Sequence, residues 1–331
     1  MRRLAVPFRC ISLLLAIGLV VVSASPGCAG RKFPPYPRSG QKGILPHGGL
    51  ERTYRLYLPP SLDPGIPPPL VIVLHGGGGS GEKMEKLTLG GFNRLADTEG
   101  FIVVYPDAAH YPVAKPNWND GRDVEKYPAH RDGVDDVGFL SALIDHLAKT
   151  YGIDRDRVYV TGASNGAIMA FRLACEASDR ITAIAPVIGS MAENLAGTCS
   201  PARPVSLLMI NGTEDPLVPW GGGDVRFGRQ RLGRVIPVRD AIQFFVRRNR
   251  CDTSPGIAPM PDADPSDGTR VVRETYDRCR QGTEVALYRI EGGGHTWPGG
   301  YPYAPVSIIG ATSRDIDGTR VIWEFFREKS R

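Results

Sequence analysis

The chain contains several short runs of apolar residues whose length suits buried strands. Continuous apolar runs are typical of strands covered on both faces, as in parallel sheets. One further segment, Arg52–Leu58, alternates between polar and apolar residues and predicts a half-buried edge strand. The predicted buried strands are Leu70–Leu74, Phe101–Tyr105, Val158–Thr161, Ile184–Val187, Val205–Ile210 and Val285–Ile290.

Segments with helical spacing of apolar residues lie between many of these strands. Such alternation over most of the chain predicts an α/β fold, with a mostly parallel, doubly wound sheet and helices on both faces. Residues 107–134 and 251–282 break this alternation and are expected to be loops inserted at the sheet edge. The predicted helices are Val137–Tyr151, Ala167–Glu176, Val238–Arg248 and Thr319–Glu328.

Residues 1–24 have the pattern of an export signal. Three arginines accompany the apolar segment Ile11–Val22, which is short for a bilayer span, and small residues ending at Ala24 suit a cleavage site. An uncleaved membrane anchor is the alternative. Residues 25–50, rich in Pro, Gly and basic residues, are expected to form a flexible tether, which leaves 51–331 as the folded domain.

Composition excludes two classes of protein. The 331 residues are 42% hydrophobic and 23% charged, which argues against wholesale disorder. The chain has 40 Lys and Arg against 35 Asp and Glu, and three of the arginines lie in the signal, so the charges of the mature chain nearly balance. No basic cluster is interleaved with aromatic residues, so we expect no nucleic-acid partner.

The cysteines fit an exported protein, either secreted to the outside or periplasmic. Two pairs that are close in sequence, Cys175 with Cys199 and Cys251 with Cys279, are predicted to form disulfides. Cys28 is then either a free thiol or a lipidated first residue, although Ser-Pro-Gly precedes it without the usual leucine. Lipidation there would attach the mature chain to a membrane. No spacing of His or Cys suggests a metal site.

The pentapeptide Gly-Ala-Ser-Asn-Gly at 162–166 predicts a nucleophilic serine. It follows a predicted strand directly and precedes a predicted helix, which is the setting of a nucleophile elbow. The pattern itself arises easily by chance in a glycine-rich chain, and the flanking strand and helix give it weight. Ser164 is therefore the predicted nucleophile.

A catalytic serine needs a histidine base and an acid that orients it, and in this fold the chain order is serine, acid, histidine. His295 is the one histidine after Ser164, and it lies in a glycine-rich loop just past a predicted strand. Asp215 follows the strand Val205–Ile210 and is the predicted acid, with the adjacent Glu214 as the alternative.

The segment His75-Gly-Gly-Gly-Gly79 predicts part of an oxyanion hole. It follows a buried strand, where this fold places a backbone donor, and glycine lets a substrate carbonyl approach the main chain. The donors are predicted to be the N–H of Asn165 and that of Gly76 or Gly77. A phosphate-binding loop is disfavoured because no Gly-Lys-Ser/Thr follows.

Other polar and aromatic residues carry weaker predictions. Asp135 and Asp136 precede a predicted helix and are expected to cap it. Trp118, Trp220 and Trp297 lie in loops beside the catalytic segments, where they either line a substrate pocket or pack in the core.

From about Arg52 to Phe326, the chain resembles exported esterases of the polyhydroxybutyrate depolymerase and feruloyl/acetyl-xylan esterase type. The resemblance implies an α/β-hydrolase catalytic domain, the triad Ser164, Asp215 and His295, and the same paired cysteines. Ala163 and Ala167 depart from the pattern of many relatives without placing the triad in doubt. The motifs are His75–Gly79, Asp132–Phe139, Gly162–Gly166, Asn211–Trp220 and Gly292–Gly300.

These features predict a carboxylic ester hydrolase that uses neither metal nor cofactor. The expected substrates are soluble feruloyl or acetyl polysaccharide esters or hydroxyalkanoate oligomers, since no polymer-binding module follows the last predicted helix. One alternative is a serine peptidase of the prolyl-oligopeptidase type, which the lack of blade-length repeats disfavours. The other is an inactive hydrolase fold that serves as a binding protein.

Overall fold

Strands and helices alternate through most of residues 39–331, the part of the chain that this computed structural model describes. The strands are β1 (Gln41–His47), β2 (Leu50–Tyr57), β3 (Leu70–Leu74), β4 (Ile102–Pro106), β5 (Val158–Ala163), β6 (Ala183–Val187), β7 (Ser206–Gly212), β8 (Gly223–Phe227), β9 (Gln230–Val235), β10 (Gly256–Pro259), β11 (Arg270–Tyr276) and β12 (Val285–Glu291). The helices are α1 (Gly81–Leu87), α2 (Gly91–Glu99), α3 (Pro128–Arg131), α4 (Asp136–Tyr151), α5 (Asn165–Glu176), α6 (Glu193–Thr198), α7 (Val238–Asn249), α8 (Val306–Ile309) and α9 (Gly318–Arg327).

Ten of these strands form one sheet in the order β1-β2-β4-β3-β5-β6-β7-β12-β11-β10. The central strands from β4 to β12 in this order run parallel, and two antiparallel strands extend the sheet at each edge. The remaining strands, β8 and β9, pair with each other as a separate hairpin. The predicted α/β class is confirmed, with a parallel centre flanked by antiparallel edges.

The apolar runs became strands because the sheet is covered on both faces. All five residues of β3 are fully buried. Ile72 packs in the cluster that contains Phe139 of α4, and its neighbour Val71 packs in the cluster on the opposite face, which contains Phe326 of α9. Successive strand residues point to opposite faces, so a strand in this position must be apolar at every residue. Among the described helices, none is both long enough and apolar enough to cross a bilayer.

The segment predicted as a flexible tether contains β1, which pairs antiparallel with β2. The tether prediction for 25–50 is therefore wrong in its C-terminal part, and the folded domain begins before residue 51. The reason lies in burial: β1 is an edge strand with no buried residue, so its sequence carries no hydrophobic alternation. The rest of that prediction, the signal at 1–24 and Cys28 all lie outside the described residues.

The second predicted loop, 251–282, also contains strands. Within it, β10 and β11 continue the sheet beyond β12. The residues of β11 alternate between exposed or half-buried and buried positions in part of the strand, a weak signal that the flanking Pro, Asp and Gly residues obscured. Residues 107–134 hold only the short helix α3 among regular elements and otherwise form a loop, as predicted.

Both predicted disulfides are present, Cys175–Cys199 and Cys251–Cys279. The first joins the C-terminal end of α5 to the residue that follows α6. A cross-link of this kind restricts the unfolded chain and so favours the folded state. The helix that begins beside Ser164 is thereby held at its far end.

Candidate active site

Ser164 lies in a sharp turn between β5 and α5. Its backbone angles are φ 56° and ψ −117°, a region that non-glycine residues rarely occupy. The Ser164 N–H donates to the Val187 carbonyl at 3.0 Å, which ties the turn to the neighbouring strand β6. This strained strand-to-helix turn is the geometry that exposes a nucleophile above the sheet.

Two glycines permit this turn because neighbouring backbone passes very close to them. A Cβ on Gly166 would lie 2.5 Å from the Leu74 carbonyl oxygen and 2.6 Å from that of His75. A Cβ on Gly162 would lie 2.8 Å from the carbonyl oxygen of Gly166. The spacing of the pentapeptide is therefore a steric requirement of packing the turn against the end of β3.

His295 and Asp215 form a buried pair. The His295 Nδ1 lies 2.6 Å from Asp215 Oδ2, and both side chains are nearly inaccessible to solvent. The other carboxylate oxygen of Asp215 accepts the N–H groups of Leu217 and Val218, each at 2.8 Å. The acid is thus held from both sides, whereas the alternative acid Glu214 is exposed.

The topology places Ser164 and this pair at the carboxyl ends of the parallel strands. Ser164 follows β5, Asp215 follows β7 and His295 follows β12, and these strands run parallel within the same part of the sheet. Backbone bonds beyond the strand ends continue the register, since the Ile188 N–H donates to Ile210 and the Thr213 N–H to Ile290. Carboxyl ends of neighbouring parallel strands are where α/β folds assemble their sites.

The glycine loop after β3 is shaped by His75. Its Nδ1 lies 2.7 Å from the Gly76 carbonyl oxygen, and its Nε2 accepts the Ala108 N–H at 3.0 Å. Because Nε2 accepts, the proton is assigned to Nδ1 and the ring is neutral. Burial lowers the pKa of His75, in keeping with that state.

Two backbone donors in this loop remain available. The N–H groups of Gly78 and Gly79 donate to Pro116 and Gly76, whereas among the described residues those of Gly76 and Gly77 meet no acceptor. A Cβ on Gly76 would lie 3.5 Å from the Ser164 Cβ. The loop therefore approaches Ser164, and the choice between Gly76 and Gly77 as donor stays open.

The aromatic predictions divide. Trp118 and Trp297 are almost completely buried, so the prediction that they line a pocket is wrong and the core-packing alternative is correct. The Trp118 Nε1 donates to the His75 carbonyl, and Trp297 packs edge-on against Phe92. Trp220 is half-buried and packs against the core.

The helix-capping prediction holds for one of two acids. Asp135 caps α4 by accepting the Gly138 N–H at 2.8 Å. Asp136 is instead buried, where it pairs with Arg52 at 2.6 Å and accepts the Asn119 N–H at 2.7 Å. Its carboxylate thus helps to hold the loop that contains Trp118.

Two further features of the site lacked any signal in the sequence. The Tyr303 hydroxyl donates to the His295 carbonyl at 3.2 Å, although Tyr303 itself is 47% exposed. Partial burial and the nearby Asp215 carboxylate raise the pKa of this phenol. The side chain of Asn165, next to the nucleophile, is buried and bonded to the loop at Trp118. Long-range contacts of this kind leave no local pattern.

Comparisons with known proteins show which family the chain belongs to. A family model described as Esterase PHB depolymerase matches residues 52–202. The protein NocK of Nocardia uniformis subsp. tsuyamanensis, whose name assigns it provisionally to the esterases, is 35% identical over 278 residues, which cover 81% of this chain and 77% of NocK. Feruloyl esterase D of Neurospora crassa is 27% identical over 328 residues, covering 95% of this chain and 94% of that protein.

A solved structure shares the fold. The acetyl xylan esterase from Aspergillus awamori superposes with a TM-score of 0.56 at 15% identity, covering 87% of this chain and 100% of that one. The fold and the site together define an α/β hydrolase. More narrowly, the chain belongs to the Esterase PHB depolymerase family and is a carboxylic ester hydrolase.

The close approach at Gly166 predicts the effect of a single methyl group. Gly166→Ala should destabilise the protein by at least about 2 kcal/mol and reduce esterase activity, because the neighbouring backbone carbonyls cannot move aside. Gly197 in α6 is the matched control, since a Cβ there meets nothing within 4 Å. Gly197→Ala should raise stability by up to about 1 kcal/mol. Urea unfolding measures both, and equal stabilities would contradict the steric account.

The neutral, buried state of His75 predicts a loss of stability in acid. The lowered pKa means that the unfolded chain binds this proton more readily, so the free energy of unfolding should fall as pH drops below about 6.5. Each unit by which folding lowers the pKa of His75 adds about 1.4 kcal/mol to the free energy of unfolding that is lost in acid. His75→Gln should flatten the dependence between pH 7 and 5 in urea unfolding, whereas His110→Gln, at an exposed residue, should keep the wild-type slope. Identical slopes for all three proteins would refute the prediction.

Proposed function

We propose that the chain is an exported serine esterase that works through an acyl-enzyme formed on Ser164. The main support for the proposal is the buried His295–Asp215 pair, which lies at the carboxyl ends of the parallel strands, as the strained Ser164 turn does. A serine hydroxyl is a weak nucleophile at neutral pH and needs an adjacent base. With Nδ1 of His295 held by Asp215, the Nε2 is the nitrogen that accepts the serine proton.

In the first half of the reaction, the Ser164 Oγ attacks the ester carbonyl carbon while the His295 Nε2 takes the hydroxyl proton. Asp215 stays ionised, fixes the imidazole orientation and stabilises the imidazolium. The tetrahedral intermediate collapses to the acyl-enzyme, and the departing alcohol receives the proton from His295. Water then attacks the acyl carbon with His295 as base, which releases the acid and restores Ser164.

The negative oxygen of each tetrahedral intermediate is stabilised by backbone N–H groups. Asn165 supplies one donor, since it begins α5, and the first N–H groups of a helix have no partner within that helix. Gly76 or Gly77 supplies the second, from the loop that approaches Ser164. Donors that are already in place stabilise the developing negative charge most strongly, because they need not reorganise during the reaction.

The proposed substrates are soluble feruloyl or acetyl polysaccharide esters or hydroxyalkanoate oligomers. The names of the relatives support this range, and so does the partly exposed ring of Tyr303, which bonds to the His295 carbonyl and can pack against a sugar or an aryl group. Two disulfides support export to an oxidising compartment. Cys28 is the proposed point of attachment if the mature chain is lipidated.

The assigned roles predict which substitutions abolish catalysis. With p-nitrophenyl acetate, Ser164→Ala and Asp215→Asn should each lower kcat by about 10⁴-fold or more, since loss of any triad member disables the proton transfer. Melting temperatures should stay close to that of the wild-type protein for Ser164→Ala, which removes only an oxygen atom. Steady-state kinetics of the purified proteins provides the measurement.

The neighbouring acid is the control for this experiment. Glu214→Gln alters an exposed carboxylate one residue from Asp215 and should leave kcat within about twofold of wild type. Full activity in Ser164→Ala would sink the assignment of the nucleophile. A large loss in Glu214→Gln with an active Asp215→Asn would instead reverse the choice of acid.

A further inference from the structure

A buried carboxylate, that of Asp120, lies against the residue that follows the nucleophile. Asp120 has no exposed surface, and its Oδ2 accepts from the Asn165 Nδ2 at 2.5 Å. The same oxygen also accepts from the Arg122 guanidinium, from Nε at 2.9 Å and from Nη2 at 2.8 Å. Burying a carboxylate is costly unless the charge is paired and hydrogen-bonded. These contacts offset that cost and hold the Asp120 carboxylate in one position.

The carboxylate helps to set the orientation of the Asn165 side chain. The Asn165 Oδ1 accepts the Trp118 N–H at 2.8 Å, and the Nδ2 also donates to the Trp118 carbonyl at 3.2 Å. An ionised carboxylate can only accept hydrogen bonds, so the amide must present its NH₂ group to Asp120. Trp118 and Asp120 together therefore allow one orientation of this amide.

Holding the side chain of Asn165 also restrains its backbone. Asn165 is the first residue of α5 and follows the strained Ser164, whose carbonyl accepts the Ile168 N–H at 3.0 Å. The side-chain bonds to Trp118 and Asp120 add a second restraint to this one, and without them the Asn165 N–H would be less closely fixed at the position of the oxyanion. Oxyanion donors act through a geometry that is set before the reaction begins.

The negative charge of Asp120 is neutralised by the adjacent guanidinium of Arg122. An unpaired carboxylate behind Asn165 would oppose the negative oxygen of the intermediate, since such repulsion is strong at low dielectric. Arg122, itself buried, removes this penalty by its paired contact with Asp120. The Arg122 Nη1 donates to the Leu232 carbonyl in β9 at 2.7 Å, so the guanidinium is itself held in place.

We propose that Asp120 is a positioning residue for the oxyanion hole: it holds the Asn165 amide and thereby aims the Asn165 N–H at the reacting carbonyl oxygen. This inference rests on the proposed function, because it requires that N–H to be an oxyanion donor. Asp120 touches no substrate atom in this role, and its effect is confined to the transition state.

The test separates transition-state stabilisation from substrate binding and from folding. Asp120→Ala should lower kcat by about 100-fold with KM changed by no more than about threefold, as for loss of an interaction made only in the transition state. Asp120→Asn should lose only about tenfold, because its carbonyl oxygen can still accept from the Asn165 amide. The Ki of a trifluoromethyl ketone, which forms a charged hemiketal with a nucleophilic serine, should rise in step with the fall in kcat/KM.

Glu274 offers a matched control for the loss of a buried carboxylate. This residue of β11 is 2% exposed and pairs with Arg239 of α7 and Arg289 of β12. Glu274→Ala should lower stability, yet it should keep wild-type kcat and Ki per folded molecule at temperatures well below melting. A wild-type kcat and Ki in Asp120→Ala, or losses in Asp120→Ala and Asp120→Asn that match those of Glu274→Ala, would overturn the inference.

Ser164→Ala in the same assay distinguishes this claim from the one on which it rests. A fully active Ser164→Ala overturns the proposed function and this inference with it. An inactive Ser164→Ala combined with a fully active Asp120→Ala overturns the positioning role alone. Should Asp120→Ala fail to fold, the isosteric Asp120→Asn carries the same comparison through its kcat, KM and Ki.

Discussion

The close packing of the Gly162–Gly166 turn against the end of β3 is the constraint on which the site depends. Because Gly166 has no side chain, the carbonyl oxygens of Leu74 and His75 can lie within 2.6 Å of the position that a Cβ would occupy. This approach forces Ser164 into its strained conformation and brings the glycine loop beside it. The proposed nucleophile and the proposed oxyanion donors therefore follow two strands, β5 and β3, that are neighbours in the sheet, and the same close packing positions both.

A buried polar network then holds the Ser164 turn and the glycine loop in fixed positions relative to each other. The loop at Trp118 bonds to His75 on one side and to Asn165 on the other. Asp136 accepts the N–H of Asn119 in the same loop and pairs with Arg52, and Asp120 within the loop pairs with Arg122. Each buried charge is paired, so the network adds rigidity without leaving an isolated charge near the reaction. In this account, the catalytic geometry is as much a property of the loop as of the triad.

The extent to which sequence predicted this structure follows from burial. Strands such as β3 and β7 can be predicted because a strand covered on both faces must be apolar throughout. The order of Ser164, Asp215 and His295 along the chain is the basis of the proposed triad. The exposed edge strand β1 has no such pattern, and its sequence predicts a tether instead. The sequence leaves open whether Trp118 lines a pocket or packs in the core, because a position in a loop does not reveal burial. The partners of Asp120 are set by tertiary contacts alone.

A structure of the protein inactivated by a fluorophosphonate tests the central claim most directly. The account predicts phosphorus bonded to Ser164 Oγ, with the phosphoryl oxygen about 3 Å from the Asn165 N–H and from that of Gly76 or Gly77. His295 should lie beside the modified serine and keep its contact with Asp215. Phosphorus on another residue, or a phosphoryl oxygen turned away from both backbone donors, would contradict it.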